Sequence, residues 1–105
     1  VSFRVRLTRD AEADLDRLFD FVLERELARD GGDLTLPAQA VAALRAGFAT
    51  LSTAPFTCRK AGKSPFLREL VVAFGRSGYV ALFEIDDEST VTVVAVRHQR
   101  EDDYH

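Results

Sequence analysis

Apolar and polar residues alternate over Ser2–Leu7, with Phe3, Val5 and Leu7 on one side and Arg4 and Arg6 on the other. A period of two is that of a short half-buried strand. Beyond Thr8 the period lengthens. Ala11, Leu15, Leu18, Phe19 and Val22 recur at helical spacing, with acids on the opposite face. Thr8 is placed to cap this helix, and Asp10 and Glu12 fall in its first turn, where the helix dipole favours anions. Asp30-Gly31-Gly32-Asp33 breaks it. A second helix follows, with Thr35 as cap, Pro37 in the first turn and a stripe of Ala38, Val41, Leu44, Phe48 and Leu51. Its many alanines favour helix and close packing. The short loop between the two predicts an antiparallel helical hairpin.

Ala54-Pro55 ends the second helix, and Phe56–Pro65 reads as an irregular basic loop. The period then returns to two. Phe66–Phe74, Tyr79–Ile85 and Thr90–Arg97 are β-prone runs separated by Gly75-Arg76-Ser77-Gly78 and Asp86–Ser89. Runs so close in sequence predict an antiparallel meander, which the first strand must join after the hairpin. The fold class is therefore α+β, a two-layer β-α-α-β-β-β domain over residues 1–105 with an antiparallel sheet and the helices on one face. The bare sheet face is then a natural place for a site.

Composition adds bounds. One hundred and five residues make a single domain, 47% hydrophobic and 30% charged. The longest apolar run is far short of the ~20 residues a bilayer requires. One cysteine, Cys58, excludes an internal disulfide framework or a cysteine-rich zinc site. No signal-peptide pattern opens the chain, and a cytoplasmic location is expected. The absence of methionine points to a processed start at Val1. The net charge of −3 argues against non-specific coating of nucleic acid. It conceals an asymmetry. Asp10–Asp33 holds nine acids against three arginines, a balance of −6; Arg59–Arg76 holds five bases against Glu69, a balance of +4. The acids suit a solvated helix face. The bases Arg59, Lys60, Lys63 and Arg76 suit an acidic partner.

Chemistry concentrates at the end of the chain, Arg97-His98-Gln99-Arg100-Glu101-Asp102-Asp103-Tyr104-His105. His98 closes the last strand, in alternation with Val94 and Val96, and can exchange a proton near neutrality. With Arg68 and Arg100 as phosphate-stabilising cations and Tyr104 as donor or stacking ring, it would suit a metal-free ribonuclease-like site. Each residue also has a structural reading. A histidine closing a strand commonly bonds a loop, Arg68 can pair with an acid, Tyr104 can fray, and the acids at 101–103 form a solvated run that opposes a phosphate. No metal-ligand spacing, phosphate loop or hydrolase elbow is present, so no cofactor or metal is expected. Cys58 reads as a small loop residue despite its basic neighbours.

The segments Leu7-Thr8, Ala11 and Asp14-Leu15 opening the first helix, Leu67-Arg68-Glu69-Leu70, Gly78–Ile85 and the closing Val94-Ala95-Val96-Arg97-His98-Gln99-Arg100-Glu101 together resemble the RelE/ParE superfamily of bacterial toxins. The resemblance spans nearly the whole chain in order. It implies the toxin of a type II toxin–antitoxin module, neutralised by a cognate antitoxin and touching operator DNA only through that antitoxin. ParE-like members, the plasmid-stabilisation group, poison DNA gyrase without catalysis; RelE-like members cut mRNA on the ribosome. The acidic balance and the wording of Phe74-Gly75 and Gly78-Tyr79 favour the ParE-like branch. Under the RelE-like alternative, Arg68, His98, Arg100 and Tyr104 would be catalytic. A third alternative is a non-toxic interaction domain. In each case Arg59, Lys60, Lys63 and Arg76 are the candidate partner-binding cations, beside an apolar groove over the helices.

Overall fold

A computed structural model, describing residues 2–101 and Tyr104, places β1 at Arg4–Leu7, α1 at Arg9–Leu27, α2 at Leu36–Thr50, a 3-10 turn at Pro55–Thr57, β2 at Arg59–Lys60, β3 at Leu67–Phe74, β4 at Ser77–Ile85 and β5 at Thr90–His98. Val1, Asp102, Asp103 and His105, to which the sequence assigns a processed start and a solvated end, lie outside the described residues. Thr8 caps α1 as expected, its Oγ1 accepting from the Ala11 N–H at 3.1 Å. Thr35 stands at the start of α2 but its side chain caps nothing; its hydroxyl donates back to Asp33 Oδ1. The helices pack on each other, and Arg45 of α2 meets Glu12 at the start of α1 at 3.3 Å, as an antiparallel hairpin requires.

The sheet has the order β1-β5-β4-β3-β2. The β3-β4-β5 meander is antiparallel, but β1 pairs with β5 in parallel. The sequence predicts an antiparallel sheet that the first strand joins after the hairpin; the meander is antiparallel as expected, and the long excursion through both helices returns the chain so that its last strand runs parallel to its first. The basic loop is also less irregular than predicted, because Arg59 and Lys60 form the edge strand β2 against Glu69 and Arg68.

Helices cover one face. Ala11, Leu15, Leu18, Ala40, Leu44, Phe48 and Leu51 from the helical layer meet Val72, Tyr79, Ala81, Phe83, Ile85, Val91, Val93 and Val96 from the sheet. Complete burial of side chains such as Leu44 and Phe83 stabilises the fold by about 1.5–3 kcal/mol each. In α2 the buried stripe is Pro37, Ala40, Leu44 and Phe48, whereas Ala38 is exposed, so the stripe begins one residue earlier than its alanines suggest. Gly47 lets α2 approach the sheet: a Cβ there would stand 2.8 Å from the Val72 side chain.

A bulge re-aims β5. Leu82 pairs with Ala95 and Phe83 with Val93, leaving Val94 as the extra residue. Val91 and Val93 therefore share the helix face with Val96 and His98, and simple alternation through Val94 fails. Past Val93, β5 outruns β1, and side chains take over its free edge. Thr8 Oγ1 donates to the Val94 carbonyl, the Val96 N–H donates to Asp14 Oδ2 at 2.8 Å, Arg17 Nη2 donates to the Val96 carbonyl, and the His98 N–H donates to Glu101 Oε1. This explains the burial of Asp14, a position that the helix pattern assigns to the solvated face.

Candidate functional site

The two faces of the sheet divide the predicted site residues. Register places Arg68, Leu70, Val72 and Phe74 of β3 on the helix side with Tyr79 and His98; Glu69, Val71, Val80 and Arg97 point to the bare side. Tyr104 lies on that bare side. Its hydroxyl donates to Glu69 Oε2 at 2.6 Å, and Arg97 stands 5.0 Å over its ring. Burial and the adjoining Glu69 carboxylate push the phenol well above its ordinary range, so it stays protonated. Glu69 also accepts from Arg59 Nε at 3.0 Å. Glu69 thus holds Tyr104 against the sheet.

Arg68 is committed to its own loop. Its Nε donates to the Pro65 carbonyl at 2.8 Å, and Nη1 donates to the carbonyls of Phe56 and Cys58 at 3.0 and 2.8 Å. Its guanidinium lies 5.3 Å over the Phe56 ring. A planar fork is suited to gathering several carbonyls at once. Along β4, the partners of Arg68 and His98 are Phe83 and Tyr79, four residues apart. At ~3.3 Å per residue that is about 13 Å along the strand, and the two side chains also lie on strands either side of β4. Neither Arg68 nor Tyr104 stands with His98. Cys58 belongs to this loop, and burial raises its thiol above the ordinary value against a smaller downward pull from Arg68.

His98 faces a groove of about 880 Å³ that opens where the helices run out over the β3–β4 turn. Phe21, Leu36, Phe74 and Tyr79 supply its apolar lining; Arg25, Arg29, Arg76 and Arg100 stand around it, with Glu101 as the acid. Phe21 is 56% exposed there. The Arg100 backbone N–H donates to His98 Nδ1 at 3.1 Å, which places the neutral ring's proton on Nε2, facing Ser77 Oγ at 3.0 Å. The ring meets Tyr79 edge-on at 5.6 Å between centroids. Burial, then the Arg100 charge, lowers the His98 pKa, against a smaller upward pull from Glu101.

Three local devices build this groove. Gly75 at φ 61° allows the two-residue turn that projects Arg76 between Phe74 and Ser77. Gly78 keeps β4 close to β3, since a Cβ there would fall 2.1 Å from the Val72 carbonyl oxygen. Glu26, buried at the end of α1, accepts from the Asp33 N–H at 3.0 Å, Arg25 Nε at 3.2 Å and Arg29 Nη1 at 3.3 Å. The Asp33 N–H first, with help from both arginines against the cost of burial, keeps the Glu26 carboxyl below its ordinary pKa. Glu26 reads in the sequence as one more solvated acid; only the folded loop shows that it orders the arginines.

The four candidate partner-binding cations do not form one patch. Arg76 belongs to the groove, whereas Arg59, Lys60 and Lys63 lie with Arg68 at the other end of β3. Six residues of strand separate Arg68 from Phe74, about 20 Å. The groove opens on the helix side, where the sequence places an apolar partner groove, and not on the bare face, where it places a site near the basic loop. That face holds a shallower depression lined by Arg4, Arg6, Glu84 and Asp86. Among the described residues no cluster of three or more His, Cys, Asp or Glu side chains is arranged to hold a metal ion, and no helix is long and apolar enough to cross a membrane.

Residues 5–103 match the family described as the ParE toxin of the type II toxin–antitoxin system parDE. The chain belongs to the ParE toxin family. Its fold is similar to that of a chain from the chromosomal ParDE toxin–antitoxin system of P. aeruginosa, at a TM-score of 0.69 and 18% identity, over 91% of this chain and 95% of the other. It is also similar to a chain of the RelBE2 toxin–antitoxin complex of Mycobacterium tuberculosis, at a TM-score of 0.59 and 24% identity, over 96% and 95%. Comparison with curated protein sequences returns no match. At these identities the solved structures speak for the fold, and the family match makes this chain a toxin of a type II toxin–antitoxin system.

Proposed function

We propose that this ParE-family toxin acts in the cytoplasm by inhibiting DNA gyrase through protein contact, without catalysis, and is neutralised by a cognate antitoxin seated in the groove. The observation that carries the reading is that two of the four candidate catalytic residues, Arg68 and Tyr104, stand apart from His98 and Arg100. Arg68 is spent on three loop carbonyls and Tyr104 on Glu69, so of the four only Arg100 stands with His98, and the set lacks the Tyr104 donor and the Arg68 cation. The groove favours an antitoxin segment that is acidic and carries apolar anchors. Phe21, Leu36 and Phe74 offer the apolar contact, and Arg76 and Arg100 offer charge. Such a segment would link the toxin to operator DNA indirectly.

The test is a supercoiling assay with purified toxin and gyrase. Inhibition that rises with toxin concentration and is reversed by antitoxin is the expected result; undiminished supercoiling at large toxin excess rejects the reading. A ribosome-dependent ribonuclease is the second reading, favoured by His98 standing in a groove beside Arg76 and Arg100. It predicts codon-specific mRNA cuts in a translation mixture, lost on His98→Ala.

A further inference from the structure

We infer that the end of the molecule opposite the groove is a second protein-docking surface, built around Phe56 and Phe66, and that it engages an acidic surface of the toxin's target. The inference rests on the toxin reading above and adds to it where the target is held.

Phe56 and Phe66 are 49% and 53% exposed, yet each is packed on a neighbour. Their rings meet edge-to-face at 6.3 Å between centroids, and Arg68 clamps the loop beneath them through three carbonyls. Large aromatic side chains held rigidly at a surface lose little entropy on binding, the property of interface anchors. Around them stand Lys60 and Lys63, exposed and without an ion pair among the described residues, whereas Arg59 is neutralised by Glu69. The net field is cationic, which specifies an acidic partner surface with an apolar recess for the rings. A nucleic acid fits less well. Single strands bind by stacking bases on open aromatic faces, but Arg68 covers a face of Phe56 and the two rings occupy each other.

The groove and this patch lie at opposite ends of β3, so they can be broken separately. The experiment compares wild type with Lys60→Glu/Lys63→Glu and with Phe66→Ser, none of which removes a side-chain hydrogen bond of the fold. Each is assayed for gyrase inhibition, growth arrest on induction, antitoxin binding and melting temperature. The expected result is that both variants need at least about tenfold more protein to inhibit gyrase, arrest growth less, and keep antitoxin binding and melting temperature unchanged. Inhibition and arrest equal to wild type overturn the inference. So does an equal loss of antitoxin binding, which would give the patch to the antitoxin. Binding of a labelled single-stranded RNA by wild type, lost in both variants, also overturns it. If wild type fails to inhibit gyrase, the gyrase reading alone falls and growth arrest decides the patch: variants that grow while binding antitoxin support it. A wild type that neither inhibits nor arrests overturns both.

Discussion

The groove and the aromatic loop are both cationic and both carry exposed rings, but they are built in different ways. The groove draws on α1, α2, the β3–β4 turn and the end of β5. Two of its four arginines, Arg25 and Arg29, already share Glu26. The loop end is almost contiguous, from Phe56 to Arg68, and its lysines have no acidic partner among the described residues. A surface assembled from distant segments depends on the whole fold, whereas a local one depends on a single clamp. This difference teaches that one uneven charge distribution along the chain can serve two separate surfaces.

The sharpest way to break the comparison is charge reversal at the groove. Arg76 and Arg100 hold no acid among the described residues, so Arg76→Glu/Arg100→Glu should leave folding intact while antitoxin affinity falls about a hundredfold, because like charges would then face an acidic segment. Calorimetric titration measures the affinity, and gyrase inhibition should stay within about twofold of wild type, as expected for distant sites. A parallel fall in both would merge the two ends into one surface. At the loop end, Arg68→Ala removes three hydrogen bonds, two of them at exposed carbonyls that water can reach, and should lower stability by about 1–2 kcal/mol. Arg68→Lys should recover only a part, since an ammonium cannot span the three acceptors. Urea unfolding measures both. Full stability with lost activity would instead mark Arg68 as a residue that acts on a substrate.

The smallest expected effect is the titration of His98. Its folded-state pKa lies below the ordinary 6.5, so the unfolded chain takes up this proton first as the solution is acidified. Stability from this group is present above about pH 6.5 and is lost as pH falls from there through the lower native value. Ring-proton NMR should place the midpoint below 6.5, and Arg100→Gln should move it upward. A midpoint at or above 6.5 would show that the groove end leaves this imidazole solvated like a free one.

Much of the architecture was legible because it is local. The Thr8 cap, the α1 stripe, the three strand runs and the Gly75 turn follow from short-range preference and hydrophobic period. The family resemblance could be read from the same segments. The site was less legible. Asp14 and Glu26 look like solvated acids on a helix, yet both are buried because they satisfy backbone N–H groups 82 and seven residues away. The bulge at Val94 hides from any count by twos, and it sets which face His98 joins.

The sequence by itself determined the order of the helices and long strands, the two-layer class and the family resemblance, because each rests on short segments whose pattern is local. Only the tertiary structure decided that β1 joins β5 in parallel, that Arg68 and Tyr104 turn away from His98, and that Arg76 parts from Lys60 and Lys63. The physical reason is common to all three. Strand register and face are settled by where long-range backbone hydrogen bonds are satisfied, and a one-residue shift sends a side chain to the other side of the sheet.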